Sequence, residues 1–543
     1  MISITLKSNS MKLFSTFILV TSFFTIFSQS NWHIIGQTCI GGNGNEVVFG
    51  TLKLSNGLNL IYGKSKSGIS GDKTEVNFGM SDYWVVAIDD SMHILWQKTL
   101  GGNNEEFLYK VIESSEHYLY LIGYSSSGSS GNKTAQNYGG QDVWLVKLDL
   151  NGNIIWDKSF GGLLNDEGFD IAELESGNLI LSNTSNSDIS GNKNSLNKGA
   201  NDLWFLKINK NGNILVDKSI GGNNNDGAGK ISILNNSELI INGYSNSPIS
   251  GDKSQENFGD FDYWILKIDS SGILLKDLTL GGNAFDFDVK RESILFNDNY
   301  YLFASSSSPI SGNKTVSNYL NSTDCWIVKL DLSLNILNQV SIGSDSSEMP
   351  TSVIYIDNKF IVGSVSYSNV NQFKTENNKG KGDNWFFSLD ENFNFISDKS
   401  FGSSNDENYT FIESLSNGEL LIATYSNGTA NNDKTCLGHN TSNLSNSPTD
   451  FWIYKLSTDA GISNIKNENF VILPNPTKDL LYVKTENYVS SISILNIDGK
   501  IISEKNVENF DYSVNTTGLL IGIYLCKIVD INGKVYIQKF VKE

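Results

Sequence analysis

Asp82-Tyr83-Trp84-Val85-Val86-Ala87-Ile88 is followed by Asp142-Val143-Trp144-Leu145-Val146-Lys147-Leu148, and then by Asp202-Leu203-Trp204-Phe205-Leu206-Lys207-Ile208. The same phrase returns at Asp262 and Trp264, Asp324 and Trp326, Asp383 and Trp385, and Asp450 and Trp452. Copies recurring at about 60 residues mean one supersecondary unit repeated in tandem, each copy burying its apolar face against the next.

Outward from Trp144 the second copy resolves into strands. It opens with Gly101-Gly102-Asn103-Asn104-Glu105-Glu106, and residues 107–112 alternate as a strand does. A polar turn at 113–116 leads to a second strand at 118–124, rich in Tyr, Leu and Ile. A long Ser/Gly/Asn loop at 125–141 precedes the Trp strand, 143–148, and Asn151-Gly152 supplies a hairpin turn before the last strand, 154–160. Four short antiparallel strands per copy, with no helical period, describe the blade of a β-propeller. The seventh copy lacks its fourth strand. His33-Ile34-Ile35-Gly36-Gln37-Thr38-Cys39-Ile40 stands before Gly41-Gly42 as His93–Leu100 stands before Gly101-Gly102, so the first strand is expected to complete the last blade. The fold expected is all-β: a seven-bladed propeller of four-stranded blades, closed by its N-terminal strand, which removes two open sheet edges.

In such a blade the long second-to-third loops share a face with the blade-to-blade loops. An acidic residue follows each Gly-Gly position by five: Glu46, Glu106, Asp166, Asp226, Asp286, Glu348 and Glu407. These are expected to crown the mouth of the central channel. Paired acids suit glycoside hydrolysis, but that chemistry needs two carboxyls in unlike environments, and seven copies give seven like ones. A lysine also recurs on that face (73, 133, 193, 253, 314, 374, 434), so acid and lysine read best as a blade-to-blade tie. The Asp two before each Trp reads as an acceptor fixing its loop. Departures from the repeat are few: Phe285-Asp286-Phe287-Asp288 with Lys290-Arg291, and the long loop 431–449 with Cys436 and His439.

Net charge is −19, and Arg291 is the single arginine among 40 basic residues, which removes the basic face a nucleic-acid partner needs. Lys12 followed by the apolar stretch 13–27 and small residues at 28 and 30 reads as a secretory leader, residues 1–30, too short for a membrane span. Cys39, Cys325, Cys436 and Cys526 have no metal-ligand spacing, and no metal or cofactor is expected. Cys39 and Cys436 fall in the same blade on the same face, so an oxidising compartment permits a disulfide between them. No nucleophile elbow, zinc-protease helix or phosphate-cradling loop appears, so no catalytic residue is assigned. The arginine cluster and aspartate box of sialidases are absent. Residues 147–156 are similar to the repeat of quinone-dependent dehydrogenases, but Trp96 and Trp156 give way to Val216 and Leu275, so shared strand geometry accounts for that likeness.

Past a linker (461–469) the repeat gives way to a small β unit, 470–543, with a Pro-bounded entry and an Asp-Gly hairpin. Its motifs are Pro474-Asn475-Pro476-Thr477, Asn496-x-x-Gly499-Lys500, Gly522-Ile523-Tyr524-x-x-Lys527, and a terminal basic–apolar strand from Lys539. This segment resembles the C-terminal sorting domain of the type IX secretion system of Bacteroidetes. The resemblance implies an immunoglobulin-like β-sandwich, recognition by the outer-membrane secretion machinery and removal by its sortase-like peptidase. It also implies passage through the periplasm after Sec-type export, then release or attachment at the outer-membrane surface. The passenger, 31–460, is expected to be a non-enzymatic binding or adhesion module for an extracellular glycan or protein. The alternatives are a structural adhesin or gliding component, or a polysaccharide hydrolase drawing on Glu106, Asp166, Asp286 or Glu348.

Overall fold

The computed structural model describes residues 28–29, 32–286, 292–415, 418–439, 448–457, 470–473, 476–496, 500–530 and 535–543. Most of the expected leader, the linker at 461–469, and Pro474, Asn475 and Gly499 lie outside the described residues. What is described is all-β apart from a 3-10 turn at Tyr319–Asn321.

The second copy folds as Glu106–Glu113, Tyr118–Ser125, Asp142–Asp149 and Ile154–Phe160, hydrogen-bonded side by side in chain order. Five further copies repeat this meander, and in one of them Ser28–Gln29 adds in parallel beside Phe395–Phe401. The last sheet is completed from the far end of the chain: His33–Ile40 pairs antiparallel with Asp450–Ser457, with Cys39 opposite Trp452. The result is propeller-like, with the first strand of each copy innermost.

One backbone bond repeats from sheet to sheet. The N–H of each Gly-Gly acid donates to the carbonyl before the preceding Asp-x-Trp: Glu106 to Ser81 at 2.8 Å, Asp166 to Gln141 at 2.6 Å, Glu407 to Gly382 at 2.8 Å. Glu46 makes the same bond to Thr449, at 2.8 Å, and so joins the first sheet to the last. Apolar packing follows the same path. Tyr83 lies 4.8 Å from Trp144 between the first two sheets, and Trp84 lies 4.9 Å from Phe451 between the first and last. All seven repeat tryptophans are almost wholly buried.

The outermost strand of every copy carries a β-bulge, which leaves Ile35, Leu95, Ile155, Leu215, Leu275, Leu337 and Ile396 exposed at equivalent places. A bulge twists an edge strand and spoils its use as a template for another chain.

The C-terminal segment is one five-stranded sheet built on the long strand Leu480–Leu495. Its first half lies between Phe470–Leu473 and the end of Ile501–Asn515; its second half lies between the start of that strand and Gly522–Asp530. The register breaks between Lys484 and Val489 let one strand serve both pairings.

Candidate functional site

Each repeat aspartate fixes the end of its own long loop. Oδ2 of Asp82, Asp142, Asp202 and Asp262 accepts the N–H four residues upstream, each at 2.5 Å. Asp324, Asp383 and Asp450 do the same for Tyr319, Lys379 and His439 at 2.6–2.7 Å. The tryptophans have partners that the sequence reading missed. Nε1 of Trp144, Trp204, Trp264 and Trp385 donates to Asp157, Asp217, Asp277 and Asp398 on the outer strand. Gln97 and Gln339 serve Trp84 and Trp326, and Gln37 of the N-terminal strand serves Trp452 at 3.0 Å. These acceptors lie 13 residues past their Trp in six copies, so they were legible in the repeat.

The seven Gly-Gly acids do not crown the channel. All are fully buried at the junctions between sheets, where each accepts an N–H from its entering loop at 2.6–3.1 Å. Loop serines supply further donors, such as Ser65 and Ser67 on Glu46 and Ser247 on Asp226. The physical reason is local: a carboxylate beside a Gly-Gly turn satisfies buried backbone donors that solvent cannot reach. Glu106, Asp166, Asp286 and Glu348, the candidate hydrolytic acids, share this burial and reach no exterior surface.

The recurring lysines tie differently than expected. None of the ion pairs among the described residues joins them to the Gly-Gly acids. Instead the ammonium groups reach Ser or Thr hydroxyls and loop carbonyls, as Lys133 does to Ser159 and Ala135, and several lie 5.5–5.9 Å over the repeat Trp ring. Burial pulls Lys314 and Lys374 down to about 8.

The long loop of the last copy docks against the first. His439 Nε2 lies 2.6 Å from Asp72 Oδ2, and residues 440–447 lie outside the described residues. The Cys39 and Cys436 sulfurs are joined, with Cα atoms 5.6 Å apart. In the fifth copy Asp286 is buried with the other acids while Phe285 is exposed; residues 287–291 lie outside the described residues.

The channel lined by the innermost strands is where copies differ most. After the constant acid come Val47 and Phe49 in the first copy, Phe107 and Tyr109 in the second, Glu167 and Phe169 in the third, and Gly227 and Gly229 in the fourth. Aromatic rings meet across sheets: Phe49 to Phe107 at 4.3 Å, Tyr109 to Phe169 at 5.5 Å, with Lys64 Nζ 4.2 Å over Phe107. Tyr244, Phe261 and Phe285 continue this belt at the long-loop end, and Tyr367 is 39% exposed there. Deeper lies a cavity of about 170 Å³ lined by Tyr62, Lys110, Asp170, Lys230 and Glu292 among others. Lys230 pairs with Glu292 at 2.6 Å, and Asp170 accepts the Ile231 N–H at 2.7 Å. Burial raises Asp170 above the usual carboxylate range, opposed by Lys110.

In the C-terminal sheet Pro476 is exposed, and Thr477 behind it is tied to Val541 and Glu543. Asn496 and Lys500 close a turn, the Tyr524 ring stacks 5.8 Å from Phe540, and Lys539 is exposed. Residues 471–543 match the family model described as secretion system C-terminal sorting domain. They are a type IX secretion sorting domain. The sorting domain implies contact with the secretion machinery and delivery to the cell surface or beyond. Among the described residues no helix is long and apolar enough to cross a membrane. No curated protein matches the chain. Solved structures similar to it include the Pan2 WD40 domain of Neurospora crassa, at 9% identity and TM-score 0.42, covering 80% of this chain and 98% of that one. PorZ, a surface component of the type IX secretion system of Porphyromonas gingivalis, is similar at 11% identity and TM-score 0.27, covering 94% and 75%. A Dyadobacter fermentans protein of unknown function is similar at 10% identity and TM-score 0.37, covering 78% and 99%.

Proposed function

We propose that residues 31–460 form one closed seven-bladed propeller, carried out of a Bacteroidetes cell by its leader (1–30) and sorting domain (470–543), and that it acts there as a non-enzymatic binding module. Support for closure comes from the pairing of His33–Ile40 with Asp450–Ser457 and from the Glu46–Thr449 bond. The tail, an immunoglobulin-like sandwich in this reading, is cut off by the sortase-like peptidase, and the passenger is released or held at the surface.

The observation that carries the binding reading is the aromatic belt at the long-loop end of the channel. The repeated acids, lysines and tryptophans are buried and hold the ring. What varies from blade to blade is a set of half-exposed Tyr and Phe rings bordered by Lys64 and Glu167. Such rings present flat apolar faces with polar edges, which suit stacking on sugar rings. Glycan is therefore the ligand class favoured over protein. A glycan-array screen of residues 31–460, with a hydrolysis assay on every hit, tests this. Binding without turnover is expected; product formation abolished by replacing one carboxylate would show an enzyme instead.

A further inference from the structure

Each repeat aspartate faces the Gly-Gly acid of the next sheet across the junction. Around the position that a Cβ on Gly101 would occupy lie Asp82 Oδ1 at 2.1 Å and Glu106 Oε2 at 2.8 Å. The same arrangement holds Asp142 with Asp166 at Gly161, and Asp202 with Asp226 at Gly221. Asp262 with Asp286, Asp324 with Glu348, Asp383 with Glu407 and Asp450 with Glu46 interact likewise. The glycine is required there, since any side chain would strike the carboxyls.

Two features point to something held between the carboxyls. Oδ1 of Asp82, Asp142, Asp202, Asp262 and Asp450 is buried without a hydrogen-bond partner, and these residues are at most 2% exposed; at Gly101, Gly161 and Gly221 that oxygen crowds the same point as the facing acid. The charges also fail to balance: fourteen carboxyls meet seven buried lysines, and the buried outer-strand acids Asp157, Asp277 and Asp398 draw on three of those lysines as well. We infer that each junction holds one proton, shared between its two carboxyls.

Two carboxylates sharing a dry site cannot both ionise cheaply, and the pair then titrates as a unit. In keeping with this, burial and then the facing acid raise Asp142 and Asp262 to about 7 and Asp202 to about 6. Burial likewise lifts Glu348 and Glu407 to about 7. Among the described residues the other charged groups facing these acid pairs are the repeat lysines, with outer-strand acids such as Asp217, Asp277 and Asp398 beside them, and a few side chains from the loops. Lys73 acts on Glu46 and Asp82; Lys133 acts on Glu106 and Asp142, with Asp157 beside it. Lysines 193, 253, 314, 374 and 434 repeat this in the later sheets. Tyr83 faces Glu106, Lys198 faces Asp202, and Lys379 faces Asp383. His439 faces Asp450, and Tyr454 faces Asp383 and Glu407.

The sign follows from linkage. Asp142 and Asp262 are raised in the folded ring relative to the unfolded chain, so their stabilising contribution is present at low pH and is lost as pH rises through about 7. Melting of the purified chain is measured from pH 5 to 9, with chelator and with calcium. Proton release on unfolding at pH 6 is read by calorimetry in buffers of different ionisation enthalpy. The proposal expects a melting temperature that falls across pH 5–8 and levels above, with release of several protons on unfolding at pH 6, where the shared protons are still largely bound. Asp82→Asn, which replaces one shared proton by a fixed amide, is expected to release about one proton fewer and to flatten the slope. A melting temperature that is flat or rising over this window, or release of one proton or fewer, overturns the proposal. So does stabilisation by calcium that removes the pH slope, which would make the occupant a cation. The wild-type measurements stand whether or not Asp82→Asn folds.

Discussion

Cys436→Ser is expected to loosen the ring without disturbing any blade. The bond it removes joins residues 397 apart, from the first strand to the last long loop. Cross-linking a loop of that length removes unfolded-chain entropy worth roughly 6 kcal/mol in the loop-closure treatment, and measured disulfides commonly deliver about half. An unfolding entropy of about 2.1 cal/mol/K per residue, over some 425 residues, gives close to 0.9 kcal/mol per degree. The melting temperature should therefore drop by about 3–7 °C in Cys436→Ser relative to wild type. Adding reductant to wild type should reproduce the drop and leave the variant unmoved, because Cys325 and Cys526 are buried and lie outside the pair. Scanning calorimetry reads both effects, and non-reducing peptide mapping identifies the bond. Equal melting temperatures for wild type and variant, or a freely alkylated Cys39, would refute the reasoning.

Trp264→Ala, which empties a fully buried site between two sheets, should cost about 3–5 kcal/mol by chemical denaturation. Asp202→Ala leaves the Lys198 N–H without its acceptor and should cost about 1–3 kcal/mol by the same assay. Deleting residues 32–40 strips the outer strand from the last sheet and removes Gln37 from Trp452, so light scattering should show aggregation through the freed edge. Truncation before residue 471 should retain the passenger in the periplasm, measured by cell fractionation of an export-competent strain.

Much of the fold could be read from the repeat because equivalent residues recur at a fixed spacing. Matching His33–Ile40 to His93–Leu100 pointed to the strand that completes the last sheet. The outer-strand acceptors of the Trp indoles were equally legible but hidden by their change of type between Gln and Asp. The acid pairs were not legible. Asp82 and Glu106 belong to different sheets, and nothing within one copy reveals how neighbouring sheets register. Burial was misjudged for the same reason: an acid in a Gly/Asn loop reads as exposed until the next sheet covers it. The channel belt escaped because alternation showed that 107–112 is a strand without showing which side faces the axis.

The central claim is a binding surface at the aromatic mouth of the channel, and an equilibrium titration tests it most directly. One array hit is titrated against residues 31–460 as wild type and as Tyr367→Ala, with product monitored in the same samples. Loss of one stacking ring at an exposed position is worth about 0.5–1.5 kcal/mol, so affinity should fall about 2- to 10-fold with no product formed in either sample. Unchanged affinity in Tyr367→Ala, or steady product formation by wild type, would contradict it.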